Sequence, residues 1–325
     1  MKHLQSPQSL LYAMKLIRGF EMKISEAFAY GKLAGTMFHL SVGQEATAVG
    51  TIAALREGDF IQSHHRGHGH MIALGADIRR MMAEMFGKVD GYCKGKGGSM
   101  HIADIALGNL GANGIVGAGL PIATGAALGL KYRGSDNVVI CFFGEGASLE
   151  GEFHESLNFA GKQKLPIVYV IENNRYCLST PIARVSAVDD LSRRAAAYGF
   201  PGKQVDGMDV EAVQASARWA VEHARSGEGP ALLESLTYRY YGHSRSDPTS
   251  YRTKQEEQEW KARDPIQMFV ARLEAQGALC AADLQEMDRQ IEDILAESVE
   301  FADASEYPQK CEIFTDIYAE QEAVR

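Results

Sequence analysis

The chain has 325 residues, a formal net charge of -9 and 23% charged side chains. That acidic balance, with no basic run, argues against nucleic acid as a partner, and no stretch of about 18 apolar residues is present to span a bilayer. Five cysteines, at 93, 141, 177, 280 and 311, form no CxxC pair, which fits a reducing cytoplasm. Residues 1 to 11 show neither a secretory apolar core nor an Arg-rich transit pattern, so a cytoplasmic location is expected. Leu10, Leu11, Met14 and Ile17 open a helical pattern that runs to about Tyr30. Gly43-Gln44-Glu45-Ala46 starts a second helix, which Gly58-Asp59 ends. Asp77 caps a short helix to Phe86, whose Met81, Met82 and Met85 read as packing residues.

Residues 91 to 119 hold nine glycines and read as a long irregular segment of the kind that carries function. Pro121 to Tyr132 forms a helix of small residues, against which something packs very closely. An apolar run, Val138 to Phe143, then stops at Gly144-Glu145-Gly146; a helix covers 150 to 164; a second run, Ile167 to Ile171, stops at Glu172-Asn173-Asn174. A helix near Asp189 to Tyr198, a short strand at 203 to 205, a helix at 210 to 225 and a buried strand at 231 to 236 follow. This alternation predicts an α/β fold, a parallel sheet with helices on both faces. Residues 241 to 253 are a polar loop, Asp264-Pro265 caps another helix, and Leu284, Met287, Ile291, Leu295 and Val299 line a long amphipathic one. No internal repeat or domain boundary stands out, so residues 1–325 form one unit.

In a parallel sheet the stops after both apolar runs lie at one edge, where such sheets bind ligands. A carboxylate and an amide oxygen there suit a hard cation such as magnesium, which accompanies phosphates. Gly144 and Gly146 let a backbone approach closely. The run His64-His65-Arg66-Gly67-His68-Gly69-His70 suits an anion better than zinc, because Arg66 repels a cation. His154-Glu155 fails as a zinc-protease motif, since Asn158 stands where the second His belongs. Gly91 to Ser99 has no GxxxxGK[ST] match, and Gly144-Glu145-Gly146 lacks the third glycine of a dinucleotide fingerprint. His243, on a polar loop just past a strand, is a candidate acid/base or anion donor, or a solvent-exposed loop histidine.

Gly144-Glu145-Gly146, then residues 147 to 172, then Asn173-Asn174 resembles the thiamine-diphosphate signature. Glu145 departs from it, because most of the family carries Asp there. Gly43-Gln44-Glu45, Lys94 to His101, Asn113 to Gly117 and the Tyr-Gly-His-Ser-x-Ser-Asp loop at 241 to 247 extend the likeness along the chain. Together they resemble the α subunit of the decarboxylating component of thiamine-dependent 2-oxo acid and acetoin dehydrogenase complexes. The 63 to 70 and 100 to 104 segments look acetoin-type, the 241 to 247 loop pyruvate-type, and Glu145 with Ser179-Thr180-Pro181 branched-chain-type.

The resemblance implies the diphosphate half of a thiamine-diphosphate-binding fold, a single domain with N- and C-terminal helical extensions. It implies thiamine diphosphate and Mg2+ as cofactors. Glu145, the Asn174 side chain and the Tyr176 carbonyl would hold the metal. His65, Arg66, Gly144, Gly146, Ala147 and His243 would contact the diphosphate, and Gly114 and Val116 the aminopyrimidine. His243 and His39 would serve proton transfer and charge stabilisation. By the same likeness the substrate is acetoin or pyruvate, ahead of branched-chain acids, and the acyl unit passes to lipoamide on an acyltransferase. The glutamate that activates the cofactor would come from a β subunit, in an α2β2 heterotetramer. Ser244 matches a serine that is phosphorylated in mitochondrial relatives.

Overall fold

The computed structural model of the protein describes residues 2–35 and 37–318. Helices α1 (Pro7–Ala29) and α2 (Glu45–Ile52) precede a short strand, β1 (Phe60–Gln62). Next come α3 (His68–Leu74), α4 (Ile78–Met85), α5 (Gly119–Tyr132), β2 (Val139–Gly144), α6 (Gly151–Gln163) and β3 (Ile167–Asn173). Two two-residue strands, β4 (Tyr176–Cys177) and β5 (Thr180–Pro181), make a small antiparallel hairpin. The chain continues through β6 (Gly202–Asp206), α7 (Val210–Arg225), β7 (Ala231–Leu236), α8 (Lys254–Lys261), α9 (Pro265–Ala275) and α10 (Ala281–Ala304).

Five strands form one sheet in the order β1-β2-β3-β7-β6, and every pairing in it is parallel. Strand side chains alternate in direction, so each central strand feeds two cores. Ile140, Phe142, Val168, Val170 and Leu233 face one core with α1, α2, α4, α7, α9 and α10. Val139, Cys141, Phe143, Tyr169, Ile171 and Leu232 face the other, with α5 and α6. Strands buried on both faces read as continuous apolar runs, which is why β2, β3 and β7 are visible in the sequence. Helix starts are equally local: Asp77, Asp209 and Asp264 each accept backbone N–H bonds at the first turn of α4, α7 and α9. The stretch 191–198 is a run of 3-10 turns instead of the expected helix; Asp190 caps it and Gly199, at φ 77°, ends it.

The glycine-rich segment is irregular, as expected, and ordered from within. Buried Glu84 accepts the backbone N–H groups of Cys93, Gly95, Gly97 and Gly98 at 2.8–3.0 Å. Residues 108 to 111 then run beside β1: Ile61 N–H donates to Gly108 and Leu110 N–H donates to Ile61, each at 2.8 Å. This covers the open edge of the sheet.

α2 enters the core through Gly43, whose φ is +95° and whose absent Cβ would lie 2.3 Å from the Tyr238 carbonyl oxygen. Gly43→Ala is expected to lower stability by about 3 kcal/mol, from left-handed strain and overpacking together. Urea unfolding should show a lower midpoint with an unchanged slope.

Candidate active site

Because the sheet is parallel, β1, β2, β3 and β7 all end at one edge. The segments leaving those ends line a cavity of about 460 Å³. Ten residues expected at the site line it: His65, Arg66, Val116, Gly144, Glu145, Gly146, Ala147, Asn174, Tyr176 and His243. His39 stands behind this wall, buried, with its ring 4.8 Å from that of His65 and 4.7 Å from that of His243. Gly114 is exposed and does not line the cavity; its nearest side chain would be Met100.

The paired asparagines separate by strand alternation. Asn173 points away and donates to buried Glu234 at 2.7 Å. Asn174 faces the site. Arg175, at φ +77°, turns the chain so that the Tyr176 carbonyl comes to the same point. Arg239 Nη1 donates to Asn174 Oδ1 at 2.6 Å and to the Tyr176 carbonyl at 2.8 Å. Glu145 completes the group. Its Oε2 accepts the Asn174 N–H at 3.2 Å, while its Oε1 is buried with no partner among the described residues. Leaving such an atom unpaired costs about 1–3 kcal/mol. Burial pushes the Glu145 carboxyl up. One carboxylate, one amide oxygen and one carbonyl make a hard-oxygen donor set, and the orphaned Oε1 fits a cation there. Arg239 is the guest of these oxygens in the protein as described, so a metal would have to displace it.

Two guanidiniums frame the cavity. Arg66 donates to the carbonyls of Leu40 at 2.7 Å and His243 at 2.9 Å. Burial and the charge of Arg239 bring its pKa down to about 9. Arg239 Nη2 reaches the Leu178 carbonyl and, at 3.1 Å, the Tyr251 hydroxyl, which donates to Asp247. Asp247 in turn accepts the His243 N–H at 2.7 Å and fixes the loop.

The histidine run splits into three environments. His68 bonds Glu21 and Ser99 deep in the core. His64 and His70 both bond Glu172, at 2.5 and 3.3 Å. Burial alone would raise Glu172, but attraction to both imidazoles and their hydrogen bonds hold it well below the carboxylate range. His65 lines the cavity beside Arg66, His39 and His243, next to His64. Burial, then the charge of Arg66, lowers His39 to about 4 and His243 to about 3. His65 is pushed lower still, by burial and neighbouring imidazoles.

Arg239, Glu172 and Gln44 are among the lining residues that went unrecognised as site residues. Arg239 follows β7 at the shared edge, which was its one available signal. Glu172 adjoins the recognised asparagines. Gln44 is buried on the cavity wall with both amide atoms unpartnered among the described residues.

A parallel sheet with a hard-oxygen donor set and two guanidiniums at its C-terminal edge defines an α/β fold suited to an anionic ligand. The sequence pattern of the dehydrogenase E1 component family matches residues 12–311, and the chain belongs to that family. It is 50% identical over 307 residues to the alpha subunit of an acetoin:2,6-dichlorophenolindophenol oxidoreductase of Bacillus subtilis (strain 168), covering 94% of this chain and 91% of that one. It is 48% identical over 305 residues to the alpha subunit of the pyruvate dehydrogenase E1 component of Rhizobium meliloti (strain 1021), covering 94% and 87%. The acetoin oxidoreductase alpha subunit of Cupriavidus necator is 44% identical over 306 residues, covering 94% and 92%. Family membership implies thiamine diphosphate as cofactor. No helix among the described residues is long and apolar enough to cross a membrane.

His39 and His243 have folded pKa values below the ordinary 6.5. Between 6.5 and about 4 the unfolded chain therefore binds more protons at these two residues than the folded one. Their contribution to stability falls as pH drops through that window. Thermal melts should show this loss, and His39→Asn should flatten the slope.

Proposed function

We propose that this chain is the alpha subunit of a thiamine-diphosphate-dependent dehydrogenase component that takes a two-carbon unit from acetoin or pyruvate and passes it to lipoamide. Cleaving acetoin releases acetaldehyde and decarboxylating pyruvate releases carbon dioxide; both leave the same two-carbon fragment. The observation that carries the reading is the convergence of Glu145, Asn174 and the Tyr176 carbonyl beside a cavity walled by Arg66, His65 and His243. Glu145, Asn174 and Tyr176 hold magnesium. The glycine turn at 144–146 lets the diphosphate approach; a Cβ on Gly146 would lie 3.3 Å from Cys177. Thiamine diphosphate, when bound, supplies the electron sink for breaking a bond next to a carbonyl.

The chain's own residues bind, orient and manage protons. Arg66 and Arg239 set a positive potential that suits an anion. Val116 lies on the irregular segment lining the cavity and offers backbone groups to the aminopyrimidine; Gly114, two residues before it, does not line the cavity. His39 donates from Nδ1 to the His243 carbonyl at 2.7 Å, which leaves its Nε2 as an acceptor. His39 and His243 would be raised toward working pH by a bound anionic diphosphate, which would fit them to hold a proton at the reacting oxygens. Gln44, with its two free amide atoms, orients a polar substrate group.

Dye reduction by the chain purified with its natural partners tests this reading, with acetoin, pyruvate and a branched 2-oxo acid compared. Activity with one of the first two that requires thiamine diphosphate and magnesium supports it. Glu145→Gln should weaken magnesium binding at least tenfold by calorimetry. Activity without the cofactor, or with the branched acid alone, would overturn it.

The partner is a β subunit, in an α2β2 assembly, with a lipoyl-bearing acyltransferase as acceptor, and this chain is the diphosphate domain of that assembly. Helix α5 supports this. Its small face was expected to meet a close neighbour, yet a Cβ on Gly125 or Gly129 meets nothing within 4 Å. Ile122, Leu128 and Tyr132 on the same helix are exposed. Gly125→Trp should leave the chain folded and abolish co-purification with the β subunit, read as the mass of the assembly.

A further inference from the structure

Two groups of side chains near this cavity each bring three metal-capable atoms within 4.8 Å of one another: His64, His70 and Glu172, and His39, His65 and His243. They differ in where their hydrogens are fixed. In the first group the Arg66 backbone N–H donates to His64 Nδ1 at 3.0 Å. That nitrogen is therefore an acceptor, and the hydrogen sits on Nε2, where it bonds Glu172. A metal-bound imidazole needs the opposite arrangement, a lone pair on the ligating nitrogen and a hydrogen on the other. This group closes on itself.

The second group has the arrangement the first lacks. His39 Nδ1 faces the His243 carbonyl oxygen at 2.7 Å. A carbonyl only accepts, so Nδ1 carries the hydrogen and Nε2 presents a lone pair. A backbone carbonyl behind the ring is also the usual outer contact of a metal-bound histidine. The rings of His65 and His243 make no hydrogen bond among the described residues, and both line the cavity. Burial beside Arg66 keeps all three uncharged, which is the state a ligand needs.

We propose that His39, His65 and His243 form a three-nitrogen site for a borderline transition-metal dication, zinc foremost, distinct from the oxygen site at Glu145. Three histidines with a fourth, open position toward a cavity match the donor set of open zinc sites. Bonds of about 2.0 Å in a tetrahedron place nitrogens roughly 3.3 Å apart, so the rings close by about an ångström on binding. Arg66 opposes the metal with its charge, although two of its N–H groups are held by carbonyls. Zinc is therefore a reversible occupant. While bound, it ties up both proton-handling histidines and the position of the diphosphate. The exclusion of diphosphate rests on the function proposed above; metal binding itself does not.

Cobalt titration tests the site, using the full chain in its natural assembly, stripped with chelator. One equivalent of Co2+ per chain should give the intense visible absorption of four-coordinate nitrogen-bound cobalt, and equimolar Zn2+ should bleach it. The band should vanish in His65→Phe and persist in Glu145→Ala. Should His65→Phe fail to fold, His243→Asn asks the same question. Weak six-coordinate absorption, a band that survives loss of either histidine, or one lost with Glu145 would overturn the proposal. A band that survives saturating thiamine diphosphate and magnesium would overturn the exclusion alone.

Discussion

Two buried guanidiniums are solvated by oxygen dipoles instead of being neutralised by carboxylates, and the cavity depends on that choice. Arg66 rests on the carbonyls of Leu40 and His243. Arg239 rests on Asn174, Tyr176, Leu178 and Tyr251. A buried charge is costly without such partners, so the loops after β3 and β7 must fold around these groups. Glu21, Glu172 and Glu145 attract Arg66 without bonding it. Burial, with the Arg66 charge beside it, keeps the nearby imidazoles neutral.

Two carboxylates at the ends of adjacent strands show how environment assigns roles. Gly144, the last residue of β2, pairs in register with Glu172, and Glu145 follows it directly. Glu172 is consumed by two histidines and held ionised. Glu145 keeps one oxygen without a partner, and burial raises its pKa. Only the second has spare bonding capacity for a cation.

Much of this was legible in the sequence because it is local. Apolar runs fixed β2, β3 and β7, and capping aspartates fixed the starts of α4 and α9. The small polar clusters at the ends of β2 and β3 marked the edge where the cavity lies. What escaped needs the third dimension. Helix α3 spans His68 to Leu74 with every residue buried, yet its polar start hides the pattern. His68 and His70 are tolerated there only because Glu21 and Glu172 arrive from elsewhere. Strand β1 has three residues, too few for periodicity. Asn173 and Asn174 look equivalent as letters, and only strand alternation sends one to Glu234 and the other to the site. Arg239 carried no motif; its meaning comes from the oxygens gathered around it.

Glu84 has a broader implication. Runs of backbone amides in glycine loops are natural anion receptors, and residues 91 to 99 superficially look like one that cradles nucleotides. Here the receptor is already filled by the protein's own carboxylate. The segment is thus a lock supplied with its key. Its glycines are spent on admitting a side chain from α4, and a foreign phosphate finds no vacancy. Glycine spacing alone therefore distinguishes poorly between loops that capture ligands and loops that swallow a neighbour to hold their shape.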